Sequence, residues 1–308
     1  MKEKIKVHVL SAVMSVVCAV TAAFFAASCS SDDDVMYSAV DGVECDDSLQ
    51  ELVVTAYASY SNSTRAYDAT WEAGDVIGIT GTCGDITFDN VPYVTVKGDG
   101  VFEPVDETIY FSDDDDVTFT AYYPYDEDVS SDDPDISFSS SGGADYMWSQ
   151  ATGSKASPEV EFEFSHLMAK IVIILSPSDG VTYDDVCGYY IHYGLGALSC
   201  TFDTSAGDIT VPRMANVGIA GLNVNENAYD IAYDEKNESV TYSLLTPPDV
   251  SFSLMGISEN ETAEEEDYLW SLDLDWEEIN ASFGDDDPAD TPVGGRAYEF
   301  YFELTNEE

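Results

Sequence analysis

The chain has 308 residues, with 10 Lys and Arg against 61 Asp and Glu and a formal charge of -51. A surface this acidic repels phosphates, so nucleic-acid binding and adhesion to anionic lipid are excluded. High charge also invites disorder, but 20 Tyr, 14 Phe and 4 Trp supply the apolar surface that a packed core needs, and the length suits about two domains.

Lys2, Lys4 and Lys6 precede an apolar run from Val7 to Ala27, the layout of a signal peptide over residues 1–28. A transmembrane anchor is the alternative, and Ala26-Ala27-Ser28-Cys29 weighs against it. That tetrapeptide resembles a bacterial lipobox, in which the cysteine becomes lipidated and forms the new N-terminus, so Cys29 is the expected lipid attachment site. A plainly secreted protein is the other outcome. Ser30-Ser31-Asp32-Asp33-Asp34 resembles the acidic export tag of Bacteroidetes surface lipoproteins, and a solvated acidic tether explains the same residues. Removing residues 1–28 leaves 7 basic and 60 acidic side chains. Residues 29–49 are acidic, small and aperiodic, a flexible tether.

From Leu52 the pattern turns to period two. Strands are expected at Leu52 to Ser59, Val76 to Thr80, Tyr93 to Phe102, Val117 to Tyr123 and Val160 to Phe164. More follow at Lys170 to Leu175, Gly188 to Tyr193, Leu198 to Phe202, Ser239 to Leu245, Val250 to Ile257 and Ala297 to Leu304. The stretch Glu264 to Phe283 fits both periods, and a strand through Trp276 is chosen because Asp267, Ser271, Asp273, Asp275 and Glu277 then face water. Many short strands joined by turn-rich connections describe an all-β sandwich fold. The expected division is an N-terminal sandwich over 50–158 and a C-terminal one over 159–308. Acidic runs at Asp113 to Asp116, Asp126 to Asp135 and Asp285 to Asp290 read as solvated loops, with loop calcium as the alternative.

Chemistry is sparse. Past residue 28 only His166 and His192 remain to serve a serine or cysteine nucleophile, and no G-x-S-x-G turn presents one. Cys187 and His192 are the closest Cys or His pair, too far apart in sequence for a zinc cluster. Gly98-Asp99-Gly100 lacks the third glycine and the helix of a dinucleotide site. The chain is therefore read as a non-enzyme without metal or cofactor, although a carboxylate pair of the glycosidase kind is not visible from sequence. His166, alternating with Phe164 and Met168, reads as a core histidine. Cys187 and Cys200 flank a hairpin expected through Gly194-Leu195-Gly196 and are the favoured disulfide, with unpaired buried thiols the alternative.

Thr64-Arg65-Ala66, Trp71-Glu72-Ala73-Gly74-Asp75-Val76-Ile77-Gly78-Ile79, Ala121-Tyr122-Tyr123-Pro124-Tyr125, and Phe162 and Phe164 ahead of His166-Leu167-Met168-Ala169-Lys170-Ile171 together resemble the fimbrillin family of Bacteroidetes surface lipoproteins. Gly295-Arg296-Ala297-Tyr298 is similar to that family's late G-x-x-Y strand. The resemblance spans about residues 50 to 304. It implies two tandem transthyretin-like β-sandwich domains and a subunit of fimbriae, or a related adhesin, anchored to the outer membrane at the cell surface. Its implied partners are other fimbrial subunits and a host or bacterial surface ligand. A stand-alone carbohydrate- or host-protein-binding lipoprotein is the alternative.

In that family a protease removes the first strand and a neighbour's strand refills the groove. Here Leu52 to Ser59 would be the strand removed and Arg65 the cleavage site, the sole basic residue between Lys6 and Lys97. An ordinary surface arginine is the competing reading. Stalk members tend to carry a further segment after the late strand, and Thr305-Asn306-Glu307-Glu308 closes this sequence, so a tip or accessory subunit is expected.

Overall fold

A computed structural model describes residues 49–59, 70–139, 144–193, 199–211, 222–223, 230–250, 254–261, 267–285 and 287–305. The described chain is nearly all β, and it is built around two large hydrophobic cores with a smaller cluster beside them.

The first core is enclosed by a closed barrel. Its strands are β2 (Val53–Ser59), β3 (Val76–Cys83), β4 (Ile86–Val94), β5 (Val101–Pro104), β7 (Val117–Tyr123), β9 (Met147–Gly153) and β10 (Glu159–His166), in the spatial order β10-β2-β5-β4-β3-β7-β9. A short β1 (Gln50–Glu51) pairs with β6 (Tyr110–Phe111) at its rim. The alternation read in β10 holds residue by residue: Val160, Phe162, Phe164 and His166 are buried while Glu159, Glu161, Glu163 and Ser165 are exposed. A strand with one wet face buries every second side chain, which is why the glutamates are tolerated there.

The second core lies between two four-stranded sheets. One has the order β16-β17-β11-β20, from β11 (Ala169–Pro177), β16 (Asp230–Asp234), β17 (Ser239–Thr246) and β20 (Ala297–Leu304). The other has the order β15-β12-β18-β19, from β12 (Tyr190–Tyr193), β15 (Leu222–Asn223), β18 (Leu254–Ser258) and β19 (Trp270–Asp273). Strand β11 is flanked by antiparallel β17 and parallel β20, and its Ile171-Val172-Ile173 run is buried on both faces. Continuous apolar sequence is the mark of such a central strand.

A three-stranded sheet ties the two halves. Strand β8 (Asp135–Ser139) pairs with β13 (Ser199–Asp203), which pairs in turn with β14 (Asp208–Thr210). Under it Tyr122, Tyr146, Met168 and Phe202 form the third cluster.

The structure departs from the sequence reading at four places. The strand expected from Tyr93 to Phe102 is two strands, because Gly98 (φ +70°) and Gly100 (φ +80°) turn the chain back against Trp71 and β2. The division expected between 158 and 159 falls inside the barrel, since β10 pairs with β2 from Glu159↔Val53 to Ser165↔Ser59; the second core takes its first strand from β11. The ambiguous stretch splits, with β19 ending at Asp273 and a helix α2 following at Trp276–Ala281. Asp275 caps that helix by accepting from the Glu278 N–H, and Trp276 and Ile279 are buried at helical spacing.

The fourth concerns the cysteines. A helix α1 (Tyr183–Gly188) carries Cys187, and β12 pairs with β15 and β18, not with β13. The hairpin that would have brought Cys187 to Cys200 is therefore not formed, and the two cysteines are not bonded to each other.

Candidate functional site

Strand β2 fills a slot between β5 and β10. It runs parallel to β10 over seven residue pairs and antiparallel to β5 through Val54↔Phe102 and Thr55↔Val101. The Leu52 N–H donates to the Ile109 carbonyl at 2.9 Å, and the Ala56 N–H donates to the Gly100 carbonyl at 2.8 Å. Leu52, Val54, Ala56 and Ala58 point into the core, whereas Val53 and Tyr57 lie 46% and 43% exposed on the outer face. Partial desolvation against β10, reinforced by the Glu163 carboxylate, raises the Tyr57 pKa above its ordinary value.

Trp71 is the keystone under β2. Its indole Nε1 donates to the Ala56 carbonyl at 2.8 Å, and its rings meet Phe102, Tyr123 and Phe164 edge-on at 5.0, 5.4 and 5.5 Å. The turn Trp71-Glu72-Ala73-Gly74-Asp75 fixes it there. The Asp75 carboxylate accepts from the Glu72 N–H at 2.8 Å and from the Tyr123 hydroxyl at 3.1 Å, and Gly74 takes φ +101°, a conformation that suits glycine. Buried Trp71 and partly buried Tyr123, which come from two separate family-like motifs, are thus brought together under the first strand. Phe102 and Gly100 also line the slot, and nothing in their local sequence marks them out.

Comparison with known proteins bears on this arrangement. The fimbrillin-like family profile matches residues 64–308. The chain belongs to the fimbrillin-like family. A Bacteroides uniformis protein provisionally named fimbrium subunit Fim1C is 30% identical to this fimbrillin-like chain over 215 residues, 64% of this chain and 67% of that relative. A solved structure provisionally named a cell adhesion protein, from Bacteroides ovatus, has a TM-score of 0.59 at 21% identity, covering 84% of this chain and 96% of that one. Another from Bacteroides uniformis has a TM-score of 0.57 at 24% identity, covering 82% and 94%. These two likenesses show a shared fold. In this fimbrillin-like chain, β2 lies ahead of the matched region, which starts at Thr64.

Of the site residues expected from sequence, Cys29 and Arg65 lie outside the described residues. Cys187 is half-buried on α1, and Cys200 is buried on β13, where burial raises its thiol above the usual value. His166 is buried, with Nδ1 3.0 Å from the Asp145 carboxylate, as befits a core histidine. His192 is buried too; it is 2.8 Å from the Ser258 hydroxyl, and burial lowers its pKa. The two histidines occupy different sheets. Among the described residues no three of His, Cys, Asp and Glu converge in a way that could hold a metal, and no helix is long and apolar enough to cross a membrane.

Proposed function

We propose that this fimbrillin-like protein is a cell-surface fimbrial subunit, anchored to the outer membrane through lipid on Cys29, that joins other subunits by exchanging β2 for a strand of a neighbour. The family and the provisionally named fimbrium relative support the fimbrial role. The observation that carries the exchange is that one strand, ahead of the matched region, closes a barrel otherwise built from residues 76 to 166. Losing it would leave β5 and β10 with unpaired backbone groups along a slot lined by Phe102, Phe162, Phe164 and Trp71, a surface made for β-augmentation. Arg65 lies midway between Ser59 and Trp71, so a cut there would separate β2 while leaving the Trp71 turn with the body of the protein. The role needs no catalytic step.

Limited trypsin treatment of the folded protein tests the reading. A dominant cut after Arg65, with residues 66–308 staying compact and binding a labelled donor-strand peptide, is expected. Resistance at Arg65 combined with cuts elsewhere, or a cut product that unfolds and takes up no peptide, overturns it. Expressed in a Bacteroidetes host, Cys29→Ala should leave the membrane fraction; continued lipid labelling of that variant rules out the anchor.

A further inference from the structure

Resting on the reading of β2 as an exchangeable strand, the geometry of its slot sets what a replacement must look like. Inward side chains on β2 shrink along the strand as those on β10 grow. Across the parallel register Val54 sits beside Val160, Ala56 beside Phe162 and Ala58 beside Phe164. All six belong to the same buried core. The two phenylalanines, with Trp71 edge-on to Phe164 at 5.5 Å, take up the volume that larger side chains at 56 and 58 would need. Backbone approach is close at the same end: a Cβ on Gly100 would lie 2.7 Å from the Ala56 carbonyl, and the Trp71 indole already donates to that carbonyl at 2.8 Å. Positions 53, 55 and 57 face outward, Val53 and Tyr57 being 46% and 43% exposed, so the core sets no limit on their size.

We propose that the β2 slot is a graded sieve: it admits an extended strand, running parallel to β10, that carries two aliphatic residues and then two alanine-sized residues at alternate positions, with Phe162, Phe164 and Trp71 setting the limit at the narrow end. A protein interior packs to crystal-like density, so an isobutyl side chain in place of a methyl there has no room without displacing an aromatic ring. The partner is thus a protein segment with this order of sizes, and β2 of a second copy satisfies it.

The test uses the full chain nicked after Arg65 and a labelled peptide of residues 50–60. The parent peptide and its outward-facing variant Tyr57→Leu should exchange in equally, and Ala58→Leu should bind at least tenfold more weakly. Phe164→Leu protein, with a smaller ring-free side chain opposite, should recover part of that loss. Equal binding of Ala58→Leu and parent overturns the sieve while leaving strand exchange standing. Failure of the parent peptide to bind overturns strand exchange, and with it the sieve as a filter of partners. In the uncut chain, Ala58→Leu should lower the melting temperature by several degrees while Tyr57→Leu leaves it nearly unchanged; equal effects overturn the size limit independently of exchange.

Discussion

Arg296 grips Asp285 with both arms of its guanidinium, Nη1 to Oδ2 at 2.6 Å and Nη2 to Oδ1 at 2.8 Å. The same Nη1 reaches the Asn280 side-chain carbonyl at 3.2 Å, which also accepts from the Tyr298 hydroxyl at 2.7 Å, and the guanidinium sits 5.3 Å over the Phe283 ring. Asn280 in turn donates to the Ala289 and Thr291 carbonyls, both at 2.8 Å. The residues after α2 are therefore tied to the start of β20 by one planar, fork-shaped cation. Lysine keeps the charge but cannot bridge three oxygens in this way. Arg296→Lys should lower the melting temperature by a few degrees at neutral pH. The Arg296 hydrogen bonds hold the Asp285 carboxyl below its ordinary pKa, so this stabilisation is present above the usual carboxylate range and is lost as pH falls through the depressed value. The gap between Arg296→Lys and the parent should consequently shrink in strong acid; thermal melts across pH check it, and a gap independent of pH contradicts the assignment.

Phe164 is buried against Trp71, and its neighbour Glu163 faces water. Phe164→Ala should cost about 3–5 kcal/mol of stability, and Glu163→Ala should stay within about 0.5 kcal/mol. Urea denaturation of the two variants decides whether β10 is half-buried as described.

Asn90 sits in the left-handed region at φ 52°, beside the irregularity where β3 and β4 slip register between Ile79 and Gly81. Its amide donates at 2.8 Å to both the Asp126 and Val129 carbonyls, and its side-chain carbonyl accepts from the Tyr122 hydroxyl at 2.8 Å. Alanine removes those bonds and keeps the strained backbone, so Asn90→Ala should cost about 3 kcal/mol. Asn90→Gly relieves the backbone alone and should be the milder variant in the same denaturation assay; if the two cost the same, backbone conformation contributes nothing at this site.

Thiol chemistry distinguishes the three described cysteines. Burial raises the Cys83 and Cys200 thiols above their usual pKa, and Cys187 is only half-buried. Alkylation of the native protein should label Cys187 well before Cys83 and Cys200, because the thiolate is the reactive form. A Cys187–Cys200 crosslink found by peptide mapping would refute this picture.

Self-repulsion should dominate the response to salt. The formal charge is -51, and with 10 Lys and Arg against 61 Asp and Glu most carboxylates have no cation to pair with. Screening therefore removes far more repulsion than attraction, and the Debye length falls from about 30 Å at 0.01 M to about 3 Å at 1 M salt. The melting temperature should rise across that range of sodium chloride; a fall would mean that attractive pairs outweigh the net charge.

The strands with one wet face were legible in the sequence because their period is local. Glu159 to His166 alternate in the chain as they do in the barrel, Val117 to Ala121 do so until Tyr122, which is buried in the third cluster, and the apolar run of β11 already marks a strand buried on both sides. What each strand pairs with was not legible. Hydrogen-bonded partners lie far apart in sequence, so nothing local told that β10 would close the first barrel on β2, that β8 would reach β13, or that Cys187 and Cys200 would fall on elements that do not pair. The stretch from Trp270 to Ala281 satisfied both periods, and the Asp275 cap with burial of Trp276 and Ile279 decided it for a helix after Asp273. At the candidate site, Trp71, Tyr123 and Phe164 each carried a recognisable local signal. Their meeting beneath β2, and the taper from Val54 to Ala58 against Val160 to Phe164, exist only once a parallel register sets the two strands side by side.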